Sequence, residues 1–268
     1  MKTTTSADGT RIAYDDTGDG PPVILVVGAF NTRATTAPLA EALAPHCRVL
    51  NYDRRGRGDS GDQAPYAIER EIEDLDALIA AAGGSAAVFG YSSGAVLALH
   101  AAAAGSSITS LALYEPPFLV DDTRPRLAGD LAERIDELVS SGRRGDAVEL
   151  YQTEAVGLPQ DVVVQMRNAP FRPGLERIAH TLVYDALITG DGSLPHDLVA
   201  SVETPTLVID GGESWGFLRS AATALADALP HGRRSTLAGQ THDIDPDATA
   251  AVVAPFVAES SGSRAGAR

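Results

Sequence analysis

Five short apolar runs, each bounded by residues that turn the chain, constrain this sequence most. They span residues 23–27 before Gly28, 49–52 before Asp53, 86–89 before Gly90, 108–114, and 206–209 after Pro205. Each is short for a helix and too continuously apolar for a strand with one wet face. That pattern suits strands covered on both faces. Residues 10–15 alternate polar and apolar and read as a half-buried strand. Helix-like stretches separate the runs: 39–43, 69–82 with Ile72, Leu75, Leu78 and Ile79 on one stripe, and 94–104. The alternation predicts an α/β fold, a mostly parallel sheet with helices on both faces.

The rhythm stops between Phe118 and Val202. Helical periodicity continues there over 127–139 and 147–155, no buried strand is evident, and Pro125, Pro159, Pro170, Pro173 and Pro195 punctuate the stretch. Residues 1–117 and 203–259 are therefore expected to form the core and 118–202 a helical cap or lid. The small and polar residues 260–268 are expected to be a disordered tail. A chain of 268 residues is long enough for one large domain with such an insertion.

With 44% hydrophobic and 21% charged residues the chain reads as globular, and its net charge of −15 with no Lys/Arg stripe argues against a nucleic-acid partner. No apolar run reaches the ~18 residues a membrane span needs. The first residues lack the apolar stretch of a secretory signal. Cys47 is the single cysteine, so an internal disulfide is impossible and a cytoplasmic location is expected. Its place before an apolar run suits a small core residue. Two motifs are decoys. Gly56-Arg57-Gly58-Asp59-Ser60-Gly61 matches a dinucleotide fingerprint, but the loop at 62–66 follows where a helix should open. Asp243, Asp245 and Asp247 near His242 suggest a metal, yet they suit capping of a final helix near Pro246. No cofactor or metal is expected.

Gly90-Tyr91-Ser92-Ser93-Gly94 is the motif that carries chemistry. It follows a buried strand and opens a small-residue helix. A sharp strand-to-helix turn there lifts a serine hydroxyl above the sheet edge, and the helix N-terminus offers N–H groups to a developing oxyanion. Ser92 is the candidate nucleophile.

With this elbow, the segments Val27-Gly28-Ala29-Phe30, Asp53-Arg54-Arg55-Gly56-Arg57-Gly58-Asp59-Ser60, Pro205-Thr206-Leu207-Val208-Ile209 and Gly239-Gln240-Thr241-His242 resemble the α/β-hydrolase superfamily over about residues 10–118 and 203–257. The resemblance implies a catalytic histidine in the loop after the last strand, which selects His242 from six histidines. It implies oxyanion donors at the Ser93 N–H and at Ala29, with Phe30 as the alternative. Members commonly carry the acid as Gly-x-x-Asp after the strand at 206–209, but that position here is Ser214. Some place it at the end of the preceding strand, where this chain has Glu115. Glu115 is the preferred acid, with Glu213 and then Asp210 as alternatives.

Together these features predict a serine hydrolase that cleaves a small-molecule ester, lactone or thioester through an acyl-enzyme. A lyase or acyltransferase on the same scaffold, or a ligand-binding protein with a degenerate triad, are the alternatives. Oligomeric state is left open.

Overall fold

The protein is described here by a computed structural model covering residues 1–265. Among these residues eight strands form one sheet: β1 (Lys2–Thr5), β2 (Arg11–Thr17), β3 (Pro22–Val26), β4 (Arg48–Tyr52), β5 (Ala86–Tyr91), β6 (Ile108–Tyr114), β7 (Thr206–Gly211) and β8 (Gly232–Leu237). Their order is β1-β2-β4-β3-β5-β6-β7-β8. The β1–β2 and β2–β4 pairs are antiparallel, and every other pair is parallel. The expected α/β architecture is therefore present. β1 was not anticipated, because Lys-Thr-Thr-Thr carries no apolar signal.

The continuous apolar runs follow from burial on both sheet faces. Ile24, Val26, Val88, Leu111, Leu113 and Val208 point to one side. There they meet α2 (Ile68–Ala82), α3 (Ser93–Ala103) and α10 (Gly216–Ala228) through Leu75, Leu78, Val96, Leu97, Ala221 and Leu225. Val23, Leu25, Phe89, Ala112 and Ile209, one residue out of step, point to the other side. They meet α1 (Arg33–Leu43) and α11 (Pro246–Ala265) through Leu39, Leu43, Val253 and Val257. Side chains alternate across a strand, so two covered faces require an apolar residue at every position.

Between β6 and β7 the described chain is helical: α4 (Leu131–Ser140), α5 (Arg144–Tyr151) with a π-helical turn at Gln152–Val156, α6 (Gln160–Met166), α7 (Arg172–Arg177), α8 (Leu182–Thr189) and α9 (His196–Ala200). Leu131, Ile135, Val148, Tyr151, Leu182 and Ala186 form a separate apolar cluster within it, and Ala29 and Phe30 of the loop after β3 pack against that cluster. At the other end the expected tail is corrected. α11 runs on through Ala265, so 260–265 is helix, while 266–268 lie outside the described residues. The start of α11 agrees with the sequence: Asp245 Oδ1 accepts the Ala248 N–H at 2.8 Å. Among the described residues no helix is long and apolar enough to cross a membrane.

A buried ion network joins the helical segment to the core. Asp185, in α8, is fully buried. Its Oδ2 lies 2.5 Å from Arg57 Nη2 and its Oδ1 2.7 Å from Arg54 Nη1. Arg54 also grips Glu71 through two bonds of 2.6 and 2.7 Å. Burial alone would raise the Asp185 pKa, but the Arg57 and Arg54 guanidinium groups hold it below the usual carboxylate range. Removing one partner from a buried network leaves charge uncompensated. Asp185→Ala is expected to cost about 3–5 kcal/mol of stability in urea unfolding. Because the folded-state pKa is depressed, this contribution is complete above pH ~4 and fades as pH falls further. The gap between wild type and variant should narrow along an acid titration.

Candidate active site

The elbow is made possible by close approach. Ser92 has φ 55° and ψ −124°, at the junction of β5 and α3. A Cβ on Gly90 would stand 2.5 Å from Ala95 Cα, one on Gly94 2.4 Å from the Val26 carbonyl oxygen, and one on Gly28 2.9 Å from Ser92 Cβ. No larger residue fits these crossings. The Ser92 N–H donates to the Tyr114 carbonyl at 2.9 Å, which fixes the turn to β6. Ser92 opens into a cavity of about 270 Å³ whose walls include Phe30, Tyr151, Trp215 and His242.

His242 and Glu115 meet there. His242 Nδ1 lies 2.6 Å from Glu115 Oε2. Glu115 is fully buried, while the His242 side chain keeps 25% of its surface exposed. A carboxylate acceptor places the ring proton on Nδ1, leaving Nε2 as the ring's free lone pair. Two further donors hold Glu115: the Gly211 N–H at 2.8 Å on Oε1 and the Ser214 hydroxyl at 2.9 Å on Oε2. The histidine loop is tied down by Tyr114, whose hydroxyl donates to the Thr241 carbonyl at 2.7 Å. The ring stacks at 6.0 Å from that of Trp215.

The other candidate carboxylates do not meet His242. Glu213 is exposed, and among the described residues its carboxylate has no contact with His242; only its N–H joins the loop, donating to the Gln240 carbonyl at 2.8 Å. Asp210 is buried in β7 and bonded to Arg234 at 2.8 Å through both oxygens. His100 sits in α3, where burial lowers its pKa, and His180 and His196 lie in the helical segment.

Of the N–H groups expected to hold an oxyanion, one is engaged in this structure. The Ala29 N–H already donates to Ser93 Oγ at 2.9 Å. Ser93 Oγ in turn donates to Asp185 Oδ1 at 2.8 Å. The backbone N–H groups of Phe30 and Ser93, which also line the cavity, have no acceptor among the described residues. Arg57 braces the same loop by donating to the Gly28 and Asn31 carbonyls at 2.6 and 3.2 Å. Sequence reasoning missed Asp185. Its signal was a lone charge in the otherwise uncharged helix Leu-Val-Tyr-Asp-Ala-Leu-Ile-Thr.

The glycine-rich segment after β4 is a tight turn held by local bonds. Asp53 takes the Asp59 N–H at 2.9 Å and also pairs with Arg33. Arg55 pairs with Asp74 at 2.7 Å.

A model of the alpha/beta hydrolase family matches residues 23–254. The chain belongs to that family. It is 38% identical over 249 positions to a pimeloyl-[acyl-carrier protein] methyl ester esterase of Xanthomonas campestris pv. campestris, covering 80% of this chain and 96% of that one. An alpha/beta hydrolase from Sphaerobacter thermophilus superposes with a TM-score of 0.90 at 56% identity, over 95% of this chain and 99% of that one. A thermophilic esterase from Thermogutta terrifontis shares the fold at 24% identity and a TM-score of 0.70, over 96% of each chain.

In this alpha/beta hydrolase, positive φ among described non-glycine residues occurs only at Phe30, Ser92 and Glu115. All three belong to the site, and strain of this kind is kept where the surroundings force it. Gly28→Ala would press on the Ser92 side chain and the Tyr91 carbonyl. Misplacing a reacting group by ~1 Å can cost about 10²-fold. The variant is expected to lose about that much kcat/KM on an activated ester while its circular dichroism spectrum is unchanged.

Proposed function

We propose that this alpha/beta hydrolase is a carboxylic ester hydrolase that works through an acyl-enzyme on Ser92. The observation that carries the reading is the 2.6 Å bond between His242 Nδ1 and Glu115 Oε2 beside the cavity that holds Ser92. An oriented neutral imidazole next to a serine at a helix N-terminus is the arrangement that acyl transfer requires. The esterase name of the Xanthomonas relative supports the same chemistry.

In the reaction, His242 Nε2 takes the Ser92 hydroxyl proton as Oγ attacks the ester carbonyl. Glu115 holds the ring and stabilises the imidazolium that forms. The carbonyl oxygen becomes an oxyanion, held by the Ser93 N–H and by an N–H of the loop after β3. Phe30 is favoured for the second donor because the Ala29 N–H is engaged by Ser93 Oγ. The oxyanion collapses, the C–O bond to the alcohol breaks, and His242 returns its proton to the leaving alkoxide. Water activated by the same ring then attacks the acyl-enzyme and releases the acid. In this structure Ser92 Oγ makes no hydrogen bond to a described residue. Such contacts are often long in free enzymes and tighten with substrate bound. A cavity of about 270 Å³ takes a short ester, lactone or thioester. The helical segment 118–202 acts as a cap over this cavity, to which it contributes Tyr151, Ala155 and Val156.

A fluorophosphonate should label wild type on Ser92 and leave Ser92→Ala unlabelled, as read by intact-protein mass spectrometry. Labelling at another residue or none at all would sink the assignment. Glu115→Gln is expected to lower kcat on p-nitrophenyl butyrate by roughly 10²–10⁴-fold, with Glu213→Gln unchanged. Equal losses in both variants would overturn the choice of acid.

A further inference from the structure

Next to the catalytic cavity lies a groove of about 460 Å³ lined by Asp121, Thr123, Arg124, Gly157 and Ser220. Val156, Trp215 and Phe217 border both spaces. Arg124 is the cation of this passage. Its guanidinium carbon lies 4.6 Å from the centre of the Phe217 ring, a cation–π contact that points it along the groove wall. Its polar contacts are long. Nη2 reaches the Glu154 and Ala155 carbonyls at 3.4 and 3.2 Å, and Nε and Nη1 have no acceptor among the described residues.

Among the half-buried and buried arginines of the described residues, only Arg124 and Arg144 face no carboxylate within ion-pair distance, and Arg144 is held by the Glu176 and Arg177 carbonyls at 2.6 and 2.7 Å. Arg33, Arg48, Arg54, Arg55 and Arg57 each face at least one carboxylate within an ion-pair distance. Arg124 faces none among the described residues. Burial draws its pKa below the ordinary arginine value. Two acids beside it in the fold or the chain, Glu154 and Asp121, are otherwise engaged. Glu154 is gripped by Arg134 at 2.6 and 2.8 Å, and Asp121 Oδ1 accepts both the N–H and the hydroxyl of Thr123. The chain also makes room for the guanidinium. Gly157 has φ +82°, and a Cβ there would stand 2.3 Å from Arg124 Nη2. A partly desolvated fork of donors without a carboxylate is a place for one to bind. A carboxylate matches its single charge. A dianionic phosphate would leave surplus negative charge beside Asp121 in a chain of net charge −15.

We propose that Arg124 is a specificity residue, binding a carboxylate that the ester substrate carries several bonds from its scissile carbonyl. The proposal rests on the ester-hydrolase reading above and names the substrate class for the same site. Arg124 anchors the far end of the substrate in the outer groove while the ester lies at Ser92. The apolar walls shared by the two spaces take the methylenes between.

The test compares hydrolysis of monomethyl esters of straight dicarboxylic acids, from succinate to suberate, with methyl esters of fatty acids of equal length. A parallel series sets acetyl esters of ω-hydroxy acids against acetyl esters of the matching alcohols. At one or more lengths, in one series, wild type should prefer the carboxylate-bearing ester by roughly ten- to a hundredfold in kcat/KM. Arg124→Gln should erase that preference by lowering kcat/KM for the carboxylate-bearing esters. Gly157→Ala, which crowds the guanidinium, should reduce it as well. A ratio near one at every length, or a preference that survives Arg124→Gln, overturns the proposal. A binding measurement separates this from failure of the esterase reading. Trp215 is the sole tryptophan and borders both spaces, so its fluorescence reports occupancy. In Ser92→Ala, the monomethyl esters should bind at least tenfold more tightly than the neutral ones, and Arg124→Gln in that background should abolish the difference. Equal binding of both classes overturns the proposal even where no ester is turned over.

Discussion

Everything at this site depends on how closely three pieces of backbone approach one another. β3, β5 and α3 meet at Gly28, Gly90 and Gly94, where an added Cβ would overlap neighbouring atoms. That closeness forces Ser92 into a conformation that costs a non-glycine residue on the order of 1–3 kcal/mol. The surroundings over-determine it. The Ser92 N–H is held by the Tyr114 carbonyl, and α3 is locked in the core by Ala95, Val96 and Leu97. The strain aims the hydroxyl out of the sheet and leaves the first N–H of α3 open toward the same cavity. A relaxed turn at Ser92 would lose both features together.

Ser93 couples this elbow to the helical segment between β6 and β7. Its N–H has no acceptor among the described residues, whereas its hydroxyl is engaged, accepting from the Ala29 N–H and donating to Asp185. Asp185 is carried by α8 and is neutralised by Arg54 and Arg57 from the loop after β4. Arg57 then returns to the Gly28 carbonyl. The loop after β3, which lines the cavity, is thus clamped from below by charges of the core and of the helical segment at once. Exposed ion pairs contribute little because water screens them. This set is fully buried, so each member needs the others, and the clamp cannot loosen one bond at a time without stranding a charge.

The features legible in the sequence were local. Apolar runs covered on both faces leave few polar positions, so strands β3 to β7 stand out. The elbow is five residues long, and its glycines report crossings inside one strand–turn–helix unit. What sequence could not give was lateral. β1 pairs through its backbone, so Lys-Thr-Thr-Thr needs no apolar residue. Asp185 lies 92 positions from Ser93, and nothing between them signals the contact. The engagement of the Ala29 N–H depends on the rotamer of Ser93. The serine- and glycine-rich end of α11 reads as tail, yet Ser260 and Ser261 return hydrogen bonds to the Phe256 and Val257 carbonyls within the helix.

The carboxylate that meets His242 shows how a lateral relation can substitute for a sequential one. Counting along the chain puts the usual family acid at Ser214, just beyond β7, where no carboxylate stands. β6 and β7 are neighbours in parallel register, with Tyr114 opposite Ile209, so Glu115 ends its strand beside the residue that β7 would have used. The longer glutamate arm starts one strand further away and still reaches His242. Ser214 keeps a part in the site by donating to the same oxygen that faces the imidazole, while the Gly211 N–H takes the other. The carboxylate therefore has three donors around it in a fully buried pocket, as a buried charge requires. What the site needs is a carboxylate at one point in space behind the histidine. Two adjacent strand ends can deliver it, and the donor set supplied by the vacated strand end makes the relocated position habitable.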